Sequence, residues 1–445
     1  MKYIGKCYFL VLGSLFLMEI AAAQTVNEFT VQQAVDYAMK NSVQVRNSLL
    51  DIQVQRQTNK EITSAAYPQV NANGSFTNYL DIPVSLLPAE IMGGPPGTYF
   101  PVAFGTKYNA NGGIEINQLL FDGQVFVGLQ ARASSIRFYE KQADMTGERI
   151  KINVQKIYYQ LVVGAQQKNS IIANIERFEK LLFDTKEIYK NGFTERLDVD
   201  KVSVQLNNLR TENIKIQNQL DAGNAGLKFL LNMPQKDSLI LIDSLSENQL
   251  KENILDSSVN YSNRKEYKLL EEAVKLNEYN IRRYKLSYLP TVSAFYNYSK
   301  NAQRTEFDFL KGDRPWFTTS FVGLRINLPI FDGFAKRARI SKAKLELQRT
   351  RNNMEQLTSS IDNDVAAATL KIRSALLTID NQRQNMQLAE SVYNTTKKKF
   401  EEGLGSNQEI YNAQAELRIA QTNYYSALYD AIIARIDFLA ATGKL

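Results

Sequence analysis

The chain has 445 residues, 22% of them charged, a formal net charge of +7 and a mean hydropathy of −0.31. Beyond the N-terminus no apolar run approaches the ~20 residues that a spanning helix needs. That excludes a bundle of transmembrane helices but leaves open a β-barrel, whose alternating strands carry a weak hydropathy signal. With no histidine and a single cysteine, Cys7, the chain lacks imidazole general-base chemistry and the usual zinc ligand sets.

Lys2 and Lys6, the apolar run from Cys7 to Met18, and Ala21-Ala22-Ala23-Gln24 form a secretory signal pattern, so residues 1–23 are expected to be a leader cut after Ala23. Cys7 lies ahead of the apolar core, where it cannot become a lipidated first residue, and its removal leaves no thiol. The remaining basic residues are scattered along helical stretches with no aromatic-interleaved stripe, so no nucleic-acid partner is expected.

After the leader, Thr30 caps a helix with Val31, Ala34, Val35 and Ala38 at helical spacing, and the mature chain is read as beginning with that helix. A second helix runs from about Ser42 to Ala66, and Pro68 ends it. The period then changes. Val70, Ala72, Gly74 and Phe76 alternate with Asn71, Asn73, Ser75 and Thr77, which predicts a strand with one apolar face. Residues 81–105 hold five of the ten prolines and read as a loop. The next strand places Tyr108, Ala110, Gly112, Ile114 and Ile116 on one face, and Lys107, Asn109, Asn111, Glu115 and Asn117 on the other.

Gly123 releases the chain into a helix expected from about Gln124 to Lys190, a rod of roughly 100 Å at 1.5 Å per residue. Ile150, Val154, Ile157 and Leu161, then Ile175, Phe178 and Leu182, have coiled-coil spacing. Asn191-Gly192 breaks the rod. A further helix runs from near Asp198 to Asn232, and Met233-Pro234 stops it. Residues 235–262 form a connector with one short strand at Leu239 to Ile242.

The order then returns. A helix from about Arg264 to Tyr288 stops at Leu289-Pro290, and Val292, Ala294, Tyr296 and Tyr298 mark a strand. A loop spans Lys300 to Phe317. The next strand has Val322, Leu324, Ile326, Leu328 and Ile330 on its apolar side, with Gly323, Arg325 and Asn327 opposite. A long helix follows from Phe334 to Lys399, then a break at Gly403-Leu404-Gly405 and a last helix from Ser406 to about Ala441. Phe121-Asp122-Gly123 thus recurs as Phe331-Asp332-Gly333. Asp122 and Asp332 are expected to cap the long helices, and Gly123 and Gly333 to ease the bend. Residues 24–234 and 263–445 are read as tandem copies of one unit.

Four amphipathic strands cannot close on themselves, and an open sheet edge is not tolerated in lipid. Bacterial membrane barrels begin at about eight strands with even counts, so membranous strands would need several copies, three of which supply twelve. Lys107, Asn109, Asn111, Glu115, Asn117, Arg325 and Asn327 would then face a water-filled lumen, and Val, Ile, Ala and Tyr would face lipid. A soluble four-stranded sheet packed on helices would show the same one-sided strands. Against it stand the leader, the interfacial placement of Tyr67, Tyr79, Tyr288 and Tyr298, and rods too long to pack on strands of ~30–35 Å.

Leu230-Leu231-Asn232-Met233-Pro234, Leu289-Pro290-Thr291-Val292, Phe331-Asp332-Gly333, Phe400-Glu401-Glu402-Gly403 with Ser406 and Glu409, and Ala413-Gln414-Ala415-Glu416-Leu417 carry a further signal in their order and duplication. Through them nearly the whole mature chain resembles the TolC family of outer-membrane efflux and secretion channels. The resemblance implies an α+β membrane protein: a homotrimer sharing a twelve-stranded outer-membrane β-barrel and a periplasmic α-helical barrel. It implies a periplasmic adaptor, an inner-membrane pump and outer-membrane lipid as partners, and neither enzymatic activity, cofactor nor metal. Function would be the exit duct of a tripartite efflux system. Type I protein secretion is the alternative on the same fold; a soluble coiled-coil scaffold and a carboxylate-based hydrolase are alternatives of other classes.

The same resemblance places Asp198, six residues after Gly192, and Glu409, six after Gly403, at a periplasmic constriction. Carboxylates from three chains there would attract cations. The family can carry a second acidic residue three positions on, where this chain has Lys201 and Asn412. The residues also admit a second role. Ser406 and Glu409 have capping-box spacing, and Asp198 lies in a first helical turn, where negative charge is favourable. Gly192, Gly403 and Gly405 would permit tight turns, which with Thr194, Glu195, Arg196 and Ser406 would form the adaptor's docking surface.

Overall fold

The computed structural model describes residues 26–243 and 259–445; the proposed leader and most of the connector lie outside the described residues. In chain order the elements are β1 (Val26–Phe29), α1 (Val31–Asn41), α2 (Val43–Ser64), β2 (Gln69–Asn78), β3 (Val84–Pro88), β4 (Tyr99–Ala103), β5 (Tyr108–Phe121) and α3 (Gly123–Lys190). They continue with α4 (Arg196–Leu231), β6 (Ser238–Leu241), α5 (Lys265–Leu286), β7 (Thr291–Arg304), β8 (Phe317–Asn327), α6 (Ala335–Glu401) and α7 (Asn407–Ala441). Two compact units result. A sheet unit comprises residues 51–139 and 270–353, and a helical unit comprises the N-terminal residues to Leu50 with 140–269 and 354–445.

In the sheet unit, β2, β5, β7 and β8 form one antiparallel sheet in that order. Its register separates the chemistry by face, because directly paired residues point the same way. One row reads Val70, Ile116, Tyr296, Val322 and the next Ala72, Ile114, Tyr298, Ser320. The opposite face reads Asn71, Glu115, Asn297, Phe321, then Asn73, Gly113, Ser299, Thr319. The apolar face is bare: Val70 is 63%, Val322 77% and Ile326 67% exposed. Each edge strand, β2 and β8, pairs on one side only.

Several expectations change. Residues 81–105 are not simply loop: β3 and β4 pair as an antiparallel hairpin around a 3-10 turn at Ala89–Met92. A two-stranded ribbon has a free edge on each strand, where Pro88 and Pro101 need no amide hydrogen. β7 continues to Arg304, well into the expected loop, and β8 stops at Asn327 rather than Ile330. Past that point Pro329 offers no amide to a ladder, and Gly333 and Phe334 both adopt φ of 65°.

The helical unit begins with a strand rather than a helix. β1 pairs in parallel with β6, Val26 opposite Ser238 through Phe29 opposite Leu241. Thr30 then caps α1 in a full capping box with Gln33. Ile150, Val154 and Leu161 of α3 are buried as the spacing predicts, but Tyr158 rather than Ile157 completes their stripe, packed with Ala34, Ala38, Leu227 and Leu231. The Tyr158 hydroxyl donates to the Phe29 carbonyl at 2.8 Å and accepts from the Asp243 amide at 3.3 Å, while Asp243 Oδ2 accepts from the Val31 amide at 2.7 Å. Burial pushes the phenol upward. Tyr158→Phe removes both hydroxyl bonds and leaves the Phe29 carbonyl only the Ile242 amide, so a loss of about 0.5–1.5 kcal/mol is expected in denaturant unfolding followed by circular dichroism. An unchanged midpoint would show that these bonds carry no net stability.

Nearer the C-terminus, Asp437 of α7 meets Lys156 of α3 at 2.6 Å and Lys371 of α6 at 3.1 Å. Burial works against ionisation, but hydrogen bonds from both lysines hold the carboxyl below its usual range. A lowered carboxyl stabilises above its unfolded value, about 4, and that contribution is lost as pH falls through the folded value. Asp437→Asn should therefore flatten the acid limb of a stability–pH curve, and an unaltered limb would assign the acid sensitivity elsewhere.

Candidate functional site

The two turns that join the long helices share one backbone solution. Gly192 has φ of 79° and Gly403 of 72°. At the first turn the Gly192 amide donates to the Tyr189 carbonyl and the Phe193 amide to Ile188; at the second, Gly403 donates to Phe400 and Leu404 to Lys399. This is the Schellman pattern, which needs a left-handed residue and so selects glycine. Gly405 does something different. A Cβ there would lie 3.1 Å from the Phe400 nitrogen, so it permits close approach rather than a left-handed bend.

Behind the turns, Phe178 of α3, Leu206 and Leu209 of α4, Tyr393 of α6, and Ile410 and Leu417 of α7 form a common core. All four long helices are thereby fixed against one another. Phe193 and Leu404, the apolar residues that usually fold back in this motif, are instead 84% and 77% exposed.

A polar chain crosses between the turns. The Thr194 hydroxyl donates to Asp198 Oδ2 at 2.6 Å, Asp198 Oδ1 lies 3.7 Å from Lys201 Nζ, and Lys201 Nζ donates to Gln408 Oε1 at 3.5 Å. Gln408 Nε2 then donates to Asn412 Oδ1 at 2.8 Å. Lys201 and Asn412, the two departures from a double acidic ring, thus belong to a clasp that compensates the Asp198 charge. The i, i+3 spacing of Asp198 and Lys201 signalled the first link; nothing local signalled Gln408.

Glu409 is different. Ser406 Oγ accepts its amide at 3.2 Å, yet the reciprocal side-chain arm seen at Thr30 and Gln33 is not formed here. Its carboxylate is exposed, in the first turn of α7. At the other turn Glu195 sits at the N-cap of α4 without a side-chain capping bond, and Arg196 pairs weakly with Asp200 at 3.8 Å.

One residue in this core had no recognisable signal. Gln414 is 1% exposed, and neither its Nε2 nor its Oε1 has a hydrogen-bond partner. It borders a cavity of about 30 Å³ with Arg177, Tyr393, Glu401 and Ile410 among the lining residues. A buried unpaired amide costs stability, so Gln414→Leu is expected to raise the unfolding free energy by about 1–3 kcal/mol. A fall in calorimetric midpoint would show that the amide is satisfied in solution.

On the sheet, Asn109, Asn111, Glu115 and Asn117 share a face with Arg325. Asn327 closes the same strand at the Thr291 register, and Glu115 accepts from Asn117 at 3.0 Å. Lys107 lies just before β5, with its carbonyl bonded to Tyr79 and its Nζ 5.5 Å from the Tyr108 ring centroid. The alternation concealed two aromatic residues on this polar face. Phe295 meets Phe321 edge-on with centroids 6.0 Å apart and carries Arg325 5.1 Å from its centroid. Gly323 makes the room, since a Cβ there would fall 2.6 Å from the Phe295 ring.

At the junctions, Asp122 Oδ1 accepts from Gln124 at 2.7 Å and Asp332 Oδ2 from the Lys336 amide at 2.9 Å. Both aspartates cap helices. Their glycines differ: Gly333 supplies the left-handed bend, whereas a Cβ on Gly123 would lie 2.7 Å from Leu286 Cβ, so Gly123 allows the α5 end to approach.

A model of the outer membrane efflux protein family matches residues 262–444. Outer membrane protein TolC of Vibrio cholerae is 19% identical over 75% of this chain and 76% of its own length. Outer membrane efflux protein BepC of Brucella suis is 22% identical, but the match spans 39% of this chain and only 37% of BepC. The fold superposes on the crystal structure of CusC with a TM-score of 0.76 and 17% identity, covering 93% of this chain and 92% of that one. The likeness is to the TolC-type outer-membrane channels. Over nearly its whole length it has the α+β fold of these channels.

Proposed function

We propose that three copies of this chain close a single duct, through which small molecules delivered by a periplasmic adaptor and an inner-membrane pump leave the cell. The observation that carries this reading is the half-finished sheet. Its four strands alternate in direction, so the edge strands β2 and β8 run oppositely. Joining β8 of one copy to β2 of the next therefore keeps every pair antiparallel. In lipid each unpaired edge group costs several kcal/mol, which drives closure. Four strands per copy and three copies give an even count of twelve, within the range of bacterial barrels.

Within this duct the turns form the gate. The clasp from Thr194 to Asn412 holds the two turns of one copy together, and the exposed Glu409 carboxylates of three copies set the charge at the constriction. The exposed Phe193 and Leu404 supply apolar contacts for the adaptor. The chain moves no energy itself.

Cysteine pairs test the assembly. With Cys7 removed with the leader, cysteines scanned along Val70–Phe76 and Ser320–Ile326 have no competing thiol. Oxidation is expected to give covalent trimers from cysteines on β2 and β8 of different copies. Only monomeric or intramolecular products across the whole scan would overturn the shared barrel.

A further inference from the structure

We propose that the second half of the chain carries a built-in anchor for anionic phospholipid, in the leaflet on the helix side of the membrane; the inference rests on the outer-membrane reading of the sheet. Below β8, the alternation of Val322, Leu324 and Ile326 continues past the end of the ladder. Leu328 is 54%, Ile330 94%, Phe331 74% and Phe334 65% exposed. Beyond this apolar collar the chemistry changes abruptly. Arg337, Arg339 and Lys342 in the first turns of α6 are all exposed, as are Arg282, Arg283 and Lys285 in the last turns of α5.

These six side chains share one end of one helix pair. Lys336 Nζ lies 5.2 Å from the Tyr288 ring centroid, Asn277 donates to Thr350 at 2.9 Å, and Arg351 meets Glu278 at 3.2 Å. α5 and α6 are therefore antiparallel, with both cationic ends beside the strands. Lys342 is seven residues into α6, about 10 Å along the axis and comparable to a Debye length.

The dipole of α5 favours Arg283 and Lys285 in its last turn, but the fold does not ask for the charges on α6. Positive residues at a helix N-terminus oppose its dipole, yet the first turn of α6 has Lys336 and Arg337 and no acidic residue. Among the described residues, Arg282, Lys285, Arg337 and Arg339 have no carboxylate within 4 Å, and Lys342 reaches Glu346 only at 4.0 Å. The matching junction of the first half provides an internal comparison. α3 opens with nine uncharged residues, Gly123 to Ala131, and the end of α2 sets Lys60 beside Glu61. The same strand-to-helix geometry thus forms without a cationic cluster.

An apolar collar continuous with a lipid-facing sheet, followed within a Debye length by exposed cations without a close carboxylate, complements an anionic headgroup layer. Phosphatidylglycerol and cardiolipin have that chemistry. The anchor fixes the height of the sheet from one side of each copy.

The test uses the full chain with Trp316→Phe and an Ile330→Trp reporter, reconstituted in phosphatidylcholine bilayers containing brominated-chain phosphatidylglycerol or brominated-chain phosphatidylcholine. Quenching is expected to report about a fivefold preference for phosphatidylglycerol, the factor for one effective surface cation. Arg337→Gln/Arg339→Gln/Lys342→Gln should reduce it to parity, and Arg282→Gln/Arg283→Gln should reduce it independently if one variant folds poorly. Equal quenching by both lipids, or a preference that survives in both variants, overturns the anchor. So does loss of the trimer in the variants without a lipid preference, which would assign the cations to a neighbouring copy. Quenching by neither lipid would instead overturn the membrane reading beneath it.

Discussion

Gly113→Val is expected to abolish the assembled channel, while Gly112→Val leaves it intact. A Cβ on Gly113 would fall 2.6 Å from the Tyr298 carbonyl oxygen and 2.8 Å from Ser299 Cβ. The first obstacle is backbone, which no rotamer change can clear. Because β5 and β7 are the central pair in the order β2-β5-β7-β8, separating them parts the two hairpins of the sheet. Gly112 points to the opposite face, where a Cβ meets nothing within 4 Å. Overpacking alone costs about 1–3 kcal/mol, but here ladder hydrogen bonds are lost in lipid as well, each worth several kcal/mol. Heat-modifiable migration of outer-membrane fractions reads the result. Equal oligomer yields from both variants would show that the sheet tolerates the displacement.

Neutralising the turn carboxylates should separate two roles that the residue spacing leaves entangled. Glu409→Gln removes an exposed charge that makes no reciprocal capping bond, so the expected result is a several-fold drop in cation-over-anion permeability with little change in thermal stability. Asp198→Asn has the converse expectation. Its charge is already compensated by Lys201 and it accepts from Thr194, so selectivity changes little while the clasp to Gln408 loosens and the open fraction rises. Reversal potentials and open probabilities in planar bilayers distinguish the cases. If both variants leave both quantities unchanged, Asp198 and Glu409 act only as helix-start residues, through the dipole and the Ser406 cap.

Elements with local causes were legible in the sequence. The long helices, the glycine breaks at Gly192 and Gly403, the Thr30 cap and the alternation of Tyr108 to Ile116 depend on nearby residues alone. β1 was not legible, because Val26–Phe29 becomes a strand only by pairing with β6, more than two hundred residues later. The β3–β4 hairpin was hidden by its prolines, which a two-stranded ribbon accommodates at free edges. At the turns, spacing identified Asp198 and Glu409 but could not foresee that Lys201 and Gln408 would engage one of them and leave the other exposed. Phe295 and Phe321 were missed because a period-two reading weighs each strand separately, whereas their contact depends on Gly323 lying opposite in register. Gln414 stands at ordinary helical spacing, and only its packing shows an amide without a partner.

A duct requires these strands to enclose a water-filled path. Purified full-length chain added to a planar lipid bilayer is predicted to give discrete, uniform conductance steps that become less cation-selective in Glu409→Gln. A silent membrane after demonstrated insertion of trimers, or steps whose selectivity is identical in that variant, would contradict a duct gated at the helix turns.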